Sequence, residues 1–93
     1  MTKKVNFAAI PMRDINGNEV MIDTTKELGN LMYMQGEDLA ECELGQAIYH
    51  SNDEGPRELE LDDKQLAMVA KHASKIKFHV LKNAIIEAVK PNL

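Results

Sequence analysis

The chain has 93 residues, of which 44% are hydrophobic and 28% charged, and its formal net charge at pH 7 is −4. These proportions are typical of one globular domain spanning residues 1–93 and exclude a disordered chain. No stretch reaches the roughly 18 apolar residues of a membrane span, and the start of the chain lacks the apolar core of a secretory signal. We therefore expect a cytoplasmic protein without a membrane partner. The single cysteine excludes an intrachain disulfide.

A β-hairpin is the first element that the sequence predicts. Val5–Met12 and Val20–Ile22 are mostly apolar, and Asn16 and Gly17 lie between them. Asn and Gly tolerate the positive φ that both central residues of a two-residue type I′ turn require. Pro11 lacks a backbone N–H, so its strand should be an edge or a bulge at that position.

The first helix is predicted to begin at a capping box, in which Thr24 caps the amide of Glu27 and Glu27 reaches back. About three turns should follow. Gly29 weakens this helix by about 1 kcal/mol relative to Ala, and Gly36 is a natural end. The apolar positions follow helical spacing and are Leu28, Leu31 and Met32.

A second helix is predicted from about Asp38 to His50, with Gly45 as its weak point. Acidic residues at its start favour the N-terminal end of the helix dipole. Its predicted apolar stripe consists of Leu39, Ala40, Leu44, Ala47 and Ile48.

A break in the chain follows the second helix. Ser51–Pro56 combines turn-forming residues, charges and a Gly-Pro pair, and is therefore predicted to be an exposed loop. Arg57–Leu61 alternates polar and apolar residues, which predicts a short third strand that could join the hairpin.

Residues 63–90 contain no Gly or Pro and could form one long helix, but Ser74–Lys77 is polar enough to permit a turn, so two further helices are favoured in the C-terminal third. Asp62 should cap the first of them, with Gln65 three residues later, and the second should run from about Phe78 to Lys90 and end before Pro91. The residues expected to be buried are Leu66, Val69, Ala70 and Ala73 in the first helix, and Phe78, Leu81, Ala84, Ile85 and Ala88 in the second. We therefore expect an α+β fold in which a β-hairpin, with a third short strand near residues 57–61, packs against three or four helices.

Charge is distributed unevenly along the chain. Residues 35–63 carry one basic and ten acidic side chains, whereas residues 64–93 carry six basic and one acidic. Such segments are usually solvated faces that partly neutralise each other across a fold. Residues 65–85 also resemble a helix-turn-helix, and the lysines available for phosphate contacts are Lys71, Lys75, Lys77 and Lys82. The absence of a turn glycine and of arginine in that segment argues against this interpretation.

Motifs for metal binding and catalysis fail on specific residues. Asp14, Asn16 and Asn18 have the spacing of a calcium loop, but Glu19 replaces the turn glycine and Thr25 cannot supply the bidentate carboxylate. The available zinc ligands, which lack the usual short spacings, are Cys42, His50, His72 and His79. We read the histidines as surface or partly buried residues, and expect no catalytic residues, cofactor or metal.

The order of these signals resembles small phage- and prophage-encoded proteins of similar length. The residues that carry the resemblance are Val5-Asn6-Phe7, Ile10-Pro11-Met12, Asp14, Gly17, Lys26, Leu28, Gly29, Tyr33 and Glu58-Leu59-Glu60-Leu61-Asp62. The resemblance implies a phage or prophage setting and no particular chemistry, and it transfers no site residues.

The sequence therefore favours a non-enzymatic protein-protein interaction or assembly accessory, acting through an apolar helix face or the hairpin edge. A protein partner is expected, and a second copy of the chain is one candidate, because small domains can complete their cores by oligomerising. The alternative is a small nucleic-acid-binding regulator that uses the lysines of the C-terminal helices, with nucleic acid the less favoured partner.

Overall fold

The computed structural model describes residues 2–53 and 57–90, and these ranges form an α+β fold. In chain order the elements are β1 (Thr2–Asn6), β2 (Ile10–Arg13), β3 (Glu19–Ile22), α1 (Thr25–Gln35), α2 (Leu39–His50), β4 (Glu58–Asp62), α3 (Asp63–Ala73) and α4 (His79–Ala88). The predicted fold class and the two C-terminal helices are confirmed. Pro91, and residues 54–56 of the predicted loop, lie outside the described residues; Ser51 of that loop is buried rather than exposed.

The strands form two separate antiparallel pairs, β2 with β3 and β1 with β4. The predicted short third strand is confirmed as β4, but its suggested addition to the hairpin is wrong, because β4 pairs with β1 and places Val5 opposite Leu59. The Asn6 side chain and carbonyl accept the N–H groups of Ala8 and Ala9, and this turn divides the predicted Val5–Met12 strand in two. Pro11 lies in β2, whose only strand partner among the described residues is β3, as expected of an edge position.

The hairpin is confirmed, but its predicted two-residue turn is wrong. Gly17 has a φ of +83°, whereas Asn16 does not adopt a positive φ. The Asp14 carboxylate instead accepts the N–H groups of Asn16 and Asn18, each at 2.9 Å. A side chain thus organises a five-residue connection, which the Asn-Gly pair alone did not indicate.

Helix starts were predicted more accurately than their caps. The Asp62 side chain accepts the Gln65 N–H at 2.8 Å and Gln65 reaches back, so this capping box is confirmed. The capping box of α1 is wrong: the Thr24 hydroxyl donates instead to the Phe7 carbonyl at 2.7 Å. A contact from 17 residues earlier in the chain therefore outcompetes the local cap.

The core is built from one face of each helix and the inner faces of the strands. Its buried hydrophobic residues include Val5, Phe7, Ile10, Leu28, Met32, Leu44, Ile48, Leu61, Leu66, Val69, Ala73, Ile85 and Val89. The predicted stripe of α2 is correct at Leu44 and Ile48 and wrong at Leu39, Ala40 and Ala47, which are exposed.

The packing of α1 against α2 depends on two glycines. A Cβ added to Gly29 would lie 2.7 Å from the Gly45 carbonyl oxygen and from Tyr49 Cβ. A Cβ added to Gly45 would lie 2.7 Å from the Tyr33 nitrogen. The residues predicted to weaken the helices are therefore the ones that let the two backbones approach each other.

Candidate functional site

Several large hydrophobic side chains remain exposed: Ile15, Met21, Tyr33, Met34, Leu39, Phe78 and Val80. Two of them line one groove. Met34 is 71% and Phe78 is 70% exposed, and they come from segments more than 40 residues apart in the chain. Single exposed apolar residues are normal on a protein surface, but converging ones indicate a contact site.

This feature, the apolar groove, lies between α1 and the connection from α3 to α4, and has a volume of about 470 Å³. Its lining consists of Glu27, Asn30, Leu31, Met34 and Gln35 from α1, and Ile76, Lys77 and Phe78 from the connection. Glu27, Leu31 and Met34 follow helical spacings of four and three residues on the face away from Gly29, and Asn30 lies at the border between the two faces. Leu31 and Ile76 are half-buried and form its floor.

Phe78 was predicted to be buried, and this is wrong. The helix begins at His79, so Phe78 is the residue before it and has an extended backbone, with φ −79° and ψ 106°. An extended residue does not continue the helical stripe that buries Ile85 and partly buries Leu81. Phe78 therefore lies just before the first turn of α4, where its side chain lines the apolar groove.

A buried hydrogen bond joins α2 to α3 beside the groove-forming connection. His72 Nε2 donates to Glu41 Oε2 at 2.7 Å, and both side chains are buried. The Glu37 N–H also donates to Oε2, and the Lys71 ammonium lies 3.6 Å from Oε1. The hydrogen bond from His72, then that from Glu37, lowers the pKa of Glu41 below its ordinary value.

The Glu41–His72 pair corrects two expectations. His72 was expected at or near the surface, and the acidic residues between positions 37 and 63 were expected to be solvated. Their side chains meet across 31 residues, and no local pattern indicates such a contact. His72 is fully buried and its Nδ1 has no hydrogen-bond partner within residues 2–53 and 57–90, and we interpret the pair as a structural link between α2 and α3.

The four lysines suggested for nucleic-acid contacts do not act alike. Lys71 lies on α3 within 3.6 Å of both Glu37 and Glu41, so carboxylates already neutralise it. Lys75 and Lys77 are in the α3–α4 connection, and Lys82 is on α4 and half-buried. The neutralisation expected between the acidic and basic segments is seen at Lys71.

Two smaller concavities complete the surface. One of about 360 Å³ separates the hairpin from α4 and is lined by Pro11, Met12, Arg13, Glu19, Val80, Asn83, Ala84 and Glu87. The other, of about 290 Å³, lies over the glycine contact and is lined by Gly29, Asn30, Tyr33, Gly45, Gln46, Tyr49 and His50. Neither brings together two apolar side chains as exposed as Met34 and Phe78.

The candidate metal ligands stay apart. His50 and His79 lie exposed on α2 and α4, and Cys42 directs its thiol to the Tyr33 carbonyl at 3.5 Å. Within residues 2–53 and 57–90, no three His, Cys, Asp or Glu side chains converge. None of the helices described there is long and apolar enough to cross a membrane.

No protein-family model, curated protein or solved structure matches this chain. Its function must therefore be inferred from its own surfaces.

Proposed function

We propose that this protein is a non-enzymatic protein-protein interaction or assembly accessory of phage or prophage origin, acting in the cytoplasm through the apolar groove. One observation carries the proposal: Met34 and Phe78 are 71% and 70% exposed and line the same concavity. Their two segments are held in place by the core, so the groove is formed before a partner arrives.

The energetics of burial support this role. Fully burying one exposed Met or Phe side chain contributes about 1.5–3 kcal/mol. Interfaces commonly draw most of their affinity from a few such anchors surrounded by polar groups. The groove has this composition, since Asn30, Gln35, Glu27 and Lys77 surround its apolar members.

The lining favours binding over chemistry. Its titratable members are Glu27 and Lys77, and neither is buried. A general acid or base usually needs an environment that shifts its pKa toward the working pH, together with an adjacent reacting group. Glu27 and Lys77 are open to solvent, and what the groove offers is an apolar contact surface.

Site-specific photo-cross-linking tests the proposal. A benzophenone amino acid is introduced at Phe78 in the full chain, and the cells that naturally produce the protein are irradiated. We expect a covalent adduct with a protein, because the benzophenone ring occupies the position of an exposed contact residue. The added substitution Met34→Lys should abolish the adduct, since a charge at that position must be desolvated on binding.

The matched control carries the same amino acid at Ile15, which is 99% exposed but lies in the hairpin connection. An adduct at Phe78 and none at Ile15 supports the groove as the contact surface. Equal adducts at both positions, or none at Phe78, would contradict the proposal.

A further inference from the structure

We infer that the partner of the apolar groove is a second copy of this chain, bound about a two-fold axis so that Glu27 of each copy faces Lys77 of the other. This inference rests on the proposed function of the groove and adds the identity of its occupant. It derives from the charges and the apolar residues that the groove combines.

The charges of the groove suit a two-fold contact. Such a contact presents the same surface on both sides, so a groove bearing charges of one sign would repel itself. The apolar groove carries one acidic and one basic side chain, Glu27 on α1 and Lys77 on the α3–α4 connection. Neither forms an ion pair within 4 Å with another residue of the described chain, so both are available to a partner.

The apolar residues are self-complementary as well. Met34 is a flexible thioether that adapts to irregular surfaces, and sulfur–aromatic contacts are favourable. Phe78 supplies the aromatic ring, and the half-buried Leu31 and Ile76 supply the floor. A two-fold axis through the groove would thus place Met34 of one copy against Phe78 of the other, twice in each dimer.

The groove is much smaller than the surface that each partner of a specific complex usually buries, so the surface around it must also contribute to the contact. We therefore expect a dimer that dissociates at micromolar concentrations and is weakened by salt, because the Glu27–Lys77 pairs lie at the rim.

A charge-exchange experiment tests the pairing, with dimer formation measured by sedimentation velocity over a concentration series of the full chain. Glu27→Lys places two lysines on the groove, and Lys77→Glu places two glutamates there. Each variant alone should dimerise at least about tenfold more weakly than the wild type, because like charges now face each other.

Mixing the two variants should restore dimerisation. In the mixed dimer, the two lysines of one chain face the two glutamates of the other, so two opposite-charge pairs form again, one with the wild-type placement and one reversed. The double variant E27K/K77E should recover for the same reason, to within about threefold of the wild type. A loss of folding in either single variant cannot imitate this recovery.

Control variants carry the same charge changes elsewhere on the surface. Glu43→Lys on α2 and Lys64→Glu on α3 are exposed positions outside the groove and should leave dimerisation within about twofold of the wild type. Met34→Lys, which changes a residue inside the groove, should prevent dimerisation.

Two results would overturn the inference: a wild-type chain that stays monomeric up to millimolar concentration, or a mixture that fails to recover. The cross-linking experiment separates this failure from that of the proposed function. An adduct at Phe78 with a different protein would overturn self-association and retain the groove as a binding surface, whereas no adduct would contradict both.

Discussion

One face of α1 is closely packed against α2, whereas another face is left exposed at the apolar groove. On one face Gly29 brings the helix into backbone contact with α2, and a Cβ there would lie 2.7 Å from its neighbours. On the other face Leu31 and Met34 line the apolar groove, and Met34 is 71% exposed. The first face packs closely because Gly29 has no side chain to hold the two backbones apart, whereas the second leaves the large side chain of Met34 exposed.

Within this one helix, the face against α2 therefore stabilises the fold, and the face at the groove is available for binding. Packing against α2 depends on steric fit, so small changes in side-chain volume should be costly there. The exposed side chains of the groove, Met34 and Phe78, contribute little to the folded monomer, so changes at these two positions should mainly affect association. Urea unfolding of the monomeric chain, at protein concentrations below those that favour dimerisation, measures the stability of each variant below.

Met32 and Met34 give the largest expected contrast. They lie two residues apart on α1, but Met32 is fully buried. Met32→Ala should lower the free energy of unfolding by about 3 kcal/mol because it leaves a cavity in the core. Met34→Ala should change it by less than about 0.5 kcal/mol. Similar losses for both variants would show that the groove is part of the core, and the comparison would fail.

Gly29→Ala should have the next largest effect. Alanine favours an exposed helix by about 1 kcal/mol over glycine, but the added methyl group would force α1 and α2 apart. We expect a net loss of about 2 kcal/mol in the free energy of unfolding. Glu43→Ala, at an exposed position of α2, is the control and should be neutral or slightly stabilising. A stabilised Gly29→Ala variant would rule out the close backbone contact.

The smallest effect should come from the Glu41–His72 link. The pKa of Glu41 is lowered from its ordinary value of 4.5, chiefly by the hydrogen bond from His72. A lowered carboxyl pKa contributes stability that is present above pH 4.5 and is lost as the pH falls through the folded-state pKa. The wild type should therefore lose more stability than Glu41→Gln as the pH is lowered from 5 to about 3.

The difference between the two pH profiles reports on the Glu41–His72 contact, because other carboxyls with lowered pKa values, such as Asp23, are present in both chains. Parallel profiles would show that the charge of Glu41 does not contribute to the pH dependence of the free energy of unfolding. The groove variant Met34→Lys should follow the wild-type profile, since Met34 lies outside the Glu41–His72 contact.

The sequence predicted those elements whose signals are local. Asp62 and Gln65 form their capping box within one turn, and Gly36 follows the last residue of α1, as expected. The hairpin lies where Asn16 and Gly17 suggested, but its geometry depends on the Asp14 side chain. The local sequence therefore predicted the positions of the helices and strands more accurately than the hydrogen bonds of their caps and turns.

The candidate site could not be predicted because its parts are distant in the chain. The groove joins residues 27–35 to residues 76–78, and whether Phe78 is buried depends on a helix boundary one residue away. The Ser74–Lys77 segment did indicate a break between the helices. A signal for an exposed Phe78 was therefore present, since a residue at the end of that break need not follow the helical stripe.

The pairing of β1 with β4 also constrains the order in which the fold can assemble. Thr2 lies opposite Asp62, so β1 emerges from the ribosome about 60 residues before its partner strand is complete. The hairpin and the α1–α2 pair need only contiguous chain and can form in the meantime. Closing a loop of this length costs entropy when β4 pairs with β1. Together with the contacts of α4 with β2 and of α3 with α1, this pairing ties early and late segments into one cooperative unit.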